Sequence, residues 1–154
     1  MGTTIDKRLA DLGIALPQAA APAANYVPFA RSGNLLLTAG QLPLREGKLV
    51  ATGLLGRDLD TATGKEAAKL CAINILAQAQ AALGDLEKIG RIVKITVFVA
   101  SAADFTEQHL VANGASDLLV AVLGEKGKHA RSAVGNASLP LNAPVEVEAI
   151  IEVA

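Results

Sequence analysis

The sequence predicts an α+β fold in which two long helices cover one face of a mixed β-sheet. Short segments rich in β-branched residues alternate with two long stretches rich in alanine and leucine, and turn-forming residues separate them. Their order is strands, long helix, strand, long helix, strand, strand, which is typical of helices packed on one side of a sheet. The chain has 154 residues, of which 51% are hydrophobic and 19% charged. This size and composition predict one folded domain, 1–154.

The N-terminal region, residues 1–25, is predicted to contain a helix and an irregular connector. Apolar residues recur at near-helical spacing within residues 3–13, and Gly13 is a typical helix stop. Pro17 and Pro22 then indicate a connector without regular structure. So short a helix cannot form a core of its own, and we expect it to pack on the rest of the domain.

The other elements follow from periodicity and from turn and capping signals. The segment Thr-Gly-Lys-Glu at 63–66 has the form of a capping box that opens a helix, and Gly84 is expected to close it. The predicted strands are 26–30, 35–39, a possible edge strand at 48–52, 92–100, 131–136 and 145–153. The predicted long helices are 63–83 and a second one from 101–104 to 123–124.

Alternation in the last predicted strand assigns its two faces. Residues 145, 147, 149, 151 and 153 are apolar, whereas Glu146, Glu148 and Glu152 share the opposite side. Residues 93, 95, 97 and 99 separate in the same way from Lys94, Thr96 and Phe98. One face is therefore predicted to lie against the helices. The simplest interpretation of the second face is that it meets water.

Composition excludes several classes of protein. The formal charge is −1, only 3% of residues are aromatic, and Lys and Arg are scattered, so a nucleic-acid interface is not expected. The single cysteine, Cys71, suits a reducing compartment, and without a long apolar run we expect a cytoplasmic protein with no membrane segment. His109 and His129 lack the spacing of metal ligands, so no metal site is expected.

Four segments of the chain form a pattern that is specific when they are taken together. They are Leu-Thr-Ala-Gly-Gln-Leu-Pro at 37–43, Ile-Val-Lys-Ile-Thr-Val-Phe-Val at 92–99, Ala-Arg-Ser-Ala-Val at 130–134 and Leu-Pro-Leu-Asn-Ala-Pro-Val-Glu-Val-Glu-Ala-Ile at 139–150. In order and spacing they resemble the YjgF/RidA-like family of reactive intermediate deaminases. The resemblance spans roughly Tyr26 to the C-terminus, whereas 111–119 and 127–131 indicate a divergent branch.

The resemblance implies a chorismate-mutase-like fold of the YjgF type. It also implies a homotrimer around a central barrel, with ligand clefts between the subunits. Characterised members of the family hydrolyse 2-imino acids to 2-oxo acids and ammonia without a metal or a cofactor. On this basis we expect a small carboxylate-bearing metabolite as partner and no cofactor.

The resemblance also implies the site residues. Arg131 matches the family arginine that holds the substrate carboxylate, a role that suits the two-pronged guanidinium. Glu146 matches the glutamate that positions or activates water, with Glu148 as the neighbouring carboxylate that it must be distinguished from. Gly40 matches a position whose backbone contacts ligand, and Tyr26 matches a tyrosine that closes the cleft. For each residue a structural role is the alternative.

Four positions depart from the family pattern or are aligned with difficulty. Ala39 stands where the best-known deaminases carry serine, and Ala133 stands where many members carry cysteine. His109 falls near the position of an expected asparagine in the second helix. His129 replaces proline or another small residue, and it is either a ligand contact or a loop histidine. His109 and His129 are both retained as candidate substrate-binding residues.

These observations leave two functions open. The first is cofactor-free hydrolysis of small 2-imino acids, with Arg131 and Glu146 as the catalytic pair. The alternative is a binding module that holds a carboxylate-bearing metabolite without chemistry, which the loss of serine at Ala39 favours. A ribonuclease is disfavoured by the charge and the few aromatic residues, and chorismate mutase activity would rest on fold analogy alone.

Overall fold

The computed structural model describes residues 2–22 and 24–154; Met1 and Ala23, which fall in the predicted region 1–25, lie outside the described residues. Three α-helices and seven strands occur in the described chain, together with three short 3₁₀ turns at Leu86–Lys88, Gly124–Gly127 and Pro140–Asn142. The elements are α1 (Thr4–Asp11), β1 (Phe29–Ser32), β2 (Leu35–Thr38), β3 (Leu44–Arg45), β4 (Lys48–Leu49), α2 (Thr61–Leu83), β5 (Ile89–Ala100), α3 (Gln108–Leu123), β6 (Ala130–Asn136) and β7 (Val145–Val153).

The main sheet has five strands in the order β1-β2-β7-β5-β6. The pair β5–β6 is parallel, and the other pairs are antiparallel. The predicted mixed sheet is therefore confirmed. The longest strands, β5 and β7, occupy central positions, and they carry the highest density of β-branched residues, which pack well on a pleated surface. Strand β6 forms one edge.

Helices α2 and α3 cover one face of the sheet, as predicted. Residues 145, 147, 149, 151 and 153 of β7 are buried beneath them, while Glu146, Glu148 and Ile150 are half-buried and Glu152 is exposed. Both helices contribute many alanines to the core, and small side chains let the helices lie close to the sheet and to each other. Among the described residues, no helix combines the length and the apolar character needed to cross a membrane.

The predicted alternation fails at one place in β5. Val93 is half-buried, and Ile92 is instead completely buried in the core. The register with β7 shifts between Ile92 and Lys94, where a bulge inserts an additional residue. A bulge reverses the side on which the following residues lie, so a strictly alternating pattern could not place Val93 correctly.

Several predicted boundaries were wrong. Helix α2 begins at Thr61 because the Asp60 side chain accepts a hydrogen bond from the Thr63 backbone N–H at 2.8 Å, so the cap is Asp60 and not Thr63. Helix α3 begins at Gln108 and not near residues 101–104. Strand β1 begins at Phe29, and 48–52 contributes only the two-residue strand β4, which pairs with β3 in a separate hairpin.

The N-terminal helix α1 lies against the core formed by the rest of the chain. Thr3 and Asp6 form a capping box at its start, with side-chain-to-backbone distances of 3.1 Å in both directions. Ile5 and Leu9 are buried, and the Arg8 Nη1 atom donates to the carbonyl of Val122 at the end of α3, at 3.3 Å. Burial and hydrogen bonding thus both fix α1 beside α3.

Gly114 allows the close crossing of α2 and α3. A Cβ atom at this position would overlap the backbone carbonyl of Lys65 in α2. We expect Gly114→Ala to lower the free energy of unfolding by about 1–3 kcal/mol, because backbone atoms cannot move aside as side chains do. Urea denaturation measures this loss.

Gly64→Ala is the matched control for this experiment. A Cβ atom there would meet side-chain methyl groups of Leu55 and Val111 at 2.8 and 2.9 Å, and such groups can rotate. A smaller loss at Gly64 than at Gly114 is expected. Equal stability of Gly114→Ala and the wild type would contradict the close helix crossing.

Candidate ligand-binding site

Arg131 lies on the edge strand β6 and points toward helix α3. Its strand neighbour on β5 is the buried Ile95, so the side chain extends from the helix-covered face of the sheet. The Nη1 atom donates to Asn113 Oδ1 at 2.9 Å and to Ser116 Oγ at 3.1 Å. The Nη2 atom donates to the backbone carbonyl of His109 at 3.3 Å. We call this region the arginine cluster. It consists of the side chains of Arg131, Asn113, Ser116 and His129 and the backbone carbonyl of His109.

The acceptors around Arg131 are all neutral. Within residues 2–22 and 24–154, the ion pairs are Arg57–Asp58 and Lys128–Glu125, so no carboxylate of the chain neutralises Arg131 there. A half-buried guanidinium with uncompensated charge can bind an anionic group, and its planar fork matches the two oxygens of a carboxylate. The cluster therefore has the chemistry of a carboxylate site.

The two predicted histidines have different positions in this cluster. His129 Nε2 lies 2.9 Å from Ser116 Oγ, and its Nδ1 lies 2.6 Å from the Gly127 carbonyl. It therefore reaches Arg131 only through Ser116. His109 has an exposed side chain and contributes its backbone carbonyl instead.

Sequence reasoning missed Asn113 and Ser116. The expected asparagine was assigned near His109, whereas Asn113 lies one helical turn further along α3. Residues 109, 113 and 116 are four and three positions apart, so they share one face of a helix. That spacing was visible in the sequence. It became informative only once the face of α3 that meets β6 was known.

Glu146 lies on the other face of the sheet. Its neighbours Val145 and Val147 are completely buried on the helix side, and its own strand partner is Phe98. Gly40 stands directly against the carboxylate, since a Cβ atom at Gly40 would overlap Glu146 Oε2. Glycine is thus required at this position for the carboxylate to approach the backbone so closely.

The surroundings of Glu146 change its acidity. Partial burial is the main factor that raises the pKa of this carboxyl above its ordinary value, and the negative charge of Glu148 raises it further. Both effects disfavour the charged form. A carboxylate with a raised pKa is a stronger base than an ordinary carboxylate, which suits general acid–base chemistry.

Tyr26 and Gly40 line the same small cavity, of about 140 Å³. The Tyr26 side chain is half exposed at its mouth. The wall is completed by Ala20, Ala21 and Pro22 of the connector, and by Pro28, Ala39, Gln41, Leu42, Leu44, Gln78 and Leu141. The N-terminal connector therefore forms part of the cavity that Gly40 shares with Tyr26.

Two buried glutamines support the backbone of this cavity. Gln78 Nε2 donates to the Ala20 carbonyl at 2.9 Å and to Gln41 Oε1 at 3.4 Å. Gln41 Nε2 in turn donates to the Ala39 carbonyl at 3.1 Å. This chain of amides fixes both the connector and the residue before Gly40. No local pattern could have predicted it, because the two glutamines are 37 positions apart.

One chain does not bring Arg131 and Glu146 together. Arg131 pairs with Ile95 in a row of residues that faces the helices, whereas Glu146 pairs with Phe98, whose other neighbour Val134 is exposed. Adjacent residues of a strand point to opposite faces, so the sheet lies between the two side chains. The predicted site residues form two half-sites: the arginine cluster, and Glu146 with Gly40 and Tyr26.

Other reactive groups of the described chain are less suited to binding. A larger groove, of about 630 Å³, contains Arg57, but that guanidinium already pairs with Asp58 at 2.9 Å. Cys71 is completely buried, and burial raises the pKa of its thiol, so packing explains this residue. No group of three His, Cys, Asp or Glu residues within 2–22 and 24–154 could hold a metal ion.

Comparison with known proteins identifies the family. The family model described as "YjgF/chorismate mutase-like, putative endoribonuclease" matches residues 6–153. The chain belongs to the YjgF/RidA family. The resemblance carried by the four sequence segments is therefore confirmed, and so is the fold that it implied.

Three relatives show the extent of the similarity. Protein TCP17 of Trypanosoma cruzi is 54% identical over 142 residues, which is 92% of this chain and 89% of TCP17. The structure of protein Atu1372 from Agrobacterium tumefaciens has a TM-score of 0.93 and 59% identity, covering 98% of this chain and 93% of that one. The structure of E. coli TdcF with bound serine has a TM-score of 0.65 and 26% identity, covering 88% and 93%.

The raised pKa of Glu146 gives a test of the half-site that does not depend on function. Glu148→Gln removes one of the two causes, so we expect the Glu146 pKa to fall while remaining above the ordinary value, because burial is the larger cause. A carbon-13 NMR titration of the side-chain carboxyl groups measures it. Glu152→Gln removes the same charge from an exposed position of β7 and serves as the control. An unchanged Glu146 pKa in Glu148→Gln would show that the two carboxylates do not interact.

Proposed function

We propose that this protein is a cytoplasmic, cofactor-free hydrolase of small 2-imino acids that acts at clefts between the subunits of a homotrimer. The observation that carries the proposal is the half-buried Arg131 guanidinium, held by neutral acceptors and without a carboxylate partner among the described residues. Membership of the YjgF/RidA family supports it, because members of this family often act as imine deaminases.

Arg131 is proposed to bind the carboxylate of the substrate. Two parallel hydrogen bonds from the guanidinium would fix both the position and the orientation of the 2-imino acid. TdcF, at 26% identity, has been crystallised with serine, which is a small molecule with one carboxylate. A ligand of that size also suits the 140 Å³ cavity beside Gly40 and Tyr26.

Glu146 is proposed to activate the attacking water. The carboxylate takes a proton from the water as the water oxygen forms a bond to the imine carbon, and it passes this proton to the nitrogen, which gives a carbinolamine. The remaining hydroxyl proton then moves to the nitrogen in the same way, the carbon–nitrogen bond breaks as the carbonyl group forms, and ammonia and a 2-oxo acid leave. Uncatalysed hydrolysis of imines is already fast, so positioning and one proton transfer suffice.

A trimer would unite the two half-sites. On the sheet face that carries Glu146, the described residues provide no covering helix, and Leu35, Leu37 and Val134 are exposed at 40%, 37% and 43%. Such an apolar face is typical of an interface between subunits. We propose that it is covered by a second copy, so that Arg131 of one subunit and Glu146 of its neighbour face the same cleft.

The alternative function is binding without chemistry. Ala39, which lines the cavity, offers no hydroxyl group, so a substrate would lose one polar contact there. In that case the cleft would hold a carboxylate-bearing metabolite, and only the equilibrium affinity would depend on Arg131. An assay of turnover separates the two functions.

The test generates 2-iminopropanoate or 2-iminobutanoate with a dehydratase and traps it as the semicarbazide adduct. The protein is expected to diminish the adduct, and Arg131→Lys is expected to lose at least about tenfold of this activity, because lysine keeps the charge but has no planar fork. Equal activity of the lysine variant would contradict the carboxylate clamp. Absence of activity on several imino acids, with retained binding of a 2-oxo acid, would establish the binding module.

Mixing two inactive variants tests whether the cleft is shared. Arg131→Gln and Glu146→Gln are each expected to be inactive, and light scattering should show that each variant is still a trimer. If they are unfolded together in equal amounts and refolded, about one quarter of the clefts should regain both groups from different subunits. Each variant refolded alone is the control. No recovery in mixed trimers would show that the two residues do not meet between subunits, and a monomer would contradict the shared cleft altogether.

A further inference from the structure

We infer that Ser116 and His129 are positioning residues that orient the Arg131 guanidinium through a directed chain of hydrogen bonds. The chain runs from Arg131 Nη1 to Ser116 Oγ, at 3.1 Å, then to His129 Nε2, at 2.9 Å, and ends with His129 Nδ1 at the Gly127 carbonyl, at 2.6 Å. Its role in carboxylate binding rests on the function proposed for Arg131. The chain itself can be tested without that function.

For a neutral imidazole, the chemistry of the two ends of the chain assigns every hydrogen. The Gly127 carbonyl can only accept, so His129 carries its hydrogen on Nδ1. The guanidinium can only donate, so Ser116 Oγ accepts from Arg131. The Ser116 hydroxyl hydrogen is then directed at the unprotonated Nε2 of a neutral imidazole. With the opposite neutral tautomer, the Nδ1 lone pair would face the carbonyl oxygen, and the contact would be repulsive.

The backbone at the end of the chain is held firmly. Gly127 is buried, and a Cβ atom there would overlap the carbonyl of Leu119, so the turn Gly124–Gly127 lies directly on the last part of α3. Ser116 belongs to the same helix. Both ends of the Ser116–His129 pair are therefore fixed to one rigid unit, and Arg131, on the edge strand, is tied to that unit.

The chain also determines which edge of the guanidinium meets a ligand. Asn113 and Ser116 accept both hydrogens of Nη1, and the His109 carbonyl accepts one from Nη2. Within the described residues, Nε–H has no acceptor and Nη2 donates only one of its two hydrogens. Nε and Nη2 share one edge of the guanidinium plane, from which a side-on fork can bind a carboxylate. The carboxylate is thus expected at the Nε–Nη2 edge, and Ser116 keeps that edge turned toward it.

This arrangement explains the departure at His129. A proline at that position could not accept the Ser116 hydroxyl hydrogen, because it has no side-chain acceptor. Histidine gives Ser116 a second partner, so the serine hydroxyl has one acceptor and one donor in fixed directions. The two residues act as one unit, and removal of either should release Arg131 in the same way.

The first measurement needs no ligand. Nitrogen-15 NMR of His129 in the whole protein should show a protonated Nδ1 and an unprotonated Nε2, and Ser116→Ala should change the Nε2 shift because its donor is gone. Ser116→Thr, which keeps a hydroxyl, should restore the shift. Protonation on Nε2, or an Nε2 shift that ignores Ser116→Ala, would overturn the chain whatever the protein binds.

The second measurement uses pyruvate, the 2-oxo acid product of 2-iminopropanoate, in calorimetric titrations. Ser116→Ala and His129→Ala are each expected to weaken pyruvate binding about three- to tenfold, with Ser116→Thr near the wild type. The double variant should bind as weakly as either single variant, because either substitution alone already interrupts the chain of hydrogen bonds. Pyruvamide, which lacks the negative charge, should bind weakly and equally to all variants.

The outcomes separate the two proposals. If the wild type and Arg131→Gln bind pyruvate equally, the function proposed for Arg131 fails, while the NMR arm still decides the hydrogen-bond chain. If Arg131→Gln loses pyruvate but Ser116→Ala does not, Arg131 binds the carboxylate and the positioning role is wrong. Additive losses in the double variant would also overturn it, because they indicate two independent structural effects.

Discussion

The antiparallel pairing of β5 with β7 controls where every side chain of the candidate site can lie. These strands are the most strongly alternating segments of the chain, and they pair from Ile89 with Val153 to Val99 with Val145. Their apolar residues are buried only if they face α2 and α3. Glu146 and Glu148 therefore lie on the other side of the sheet. A one-residue shift in this register would bury the carboxylates among the helices. The heavy cost of an unpaired buried charge therefore fixes the register, and the register in turn fixes the half-sites.

Most of the fold could be predicted because it follows from this alternation and from local stop signals. The order of elements, the mixed sheet and the end of α2 at Gly84 all have short-range causes, and the glycine adopts the left-handed conformation expected of a helix stop. The beginning of α3 was wrong for a different reason. Residues 101–107 have the polarity of a helix start, but Ser101 and Ala102 hydrogen-bond across to Asn136 and Leu55, which keeps them extended. Hydrogen bonds to such distant residues cannot be recognised from the local sequence.

The site was predictable to the same degree. A family pattern pointed to Arg131, Glu146, Gly40 and Tyr26, and the structure shows Gly40 in contact with Glu146 and in one cavity with Tyr26. Their functional roles stay predictions. The partners of Arg131 were not predicted, because Asn113 and Ser116 become neighbours of β6 only through the packing of α3. A single sequence shows which side chains carry chemistry more readily than which ones hold them in place.

The separation of Arg131 from Glu146 has a physical advantage for a site that must remain open. An arginine and a carboxylate within reach of each other on one chain pair directly, as Arg57 and Asp58 do at 2.9 Å. That contact lowers the pKa of Asp58 and leaves little charge for a ligand. Across the sheet, Arg131 keeps its charge with neutral acceptors, and Glu146 keeps a raised pKa in a partly buried position. In the proposed trimer the two groups would face each other across a cleft. The substrate would lie between them, with its carboxylate bound to Arg131. The neutral surroundings of Arg131 and the burial of Glu146 would then serve the same purpose, because each keeps its group unpaired until the ligand arrives.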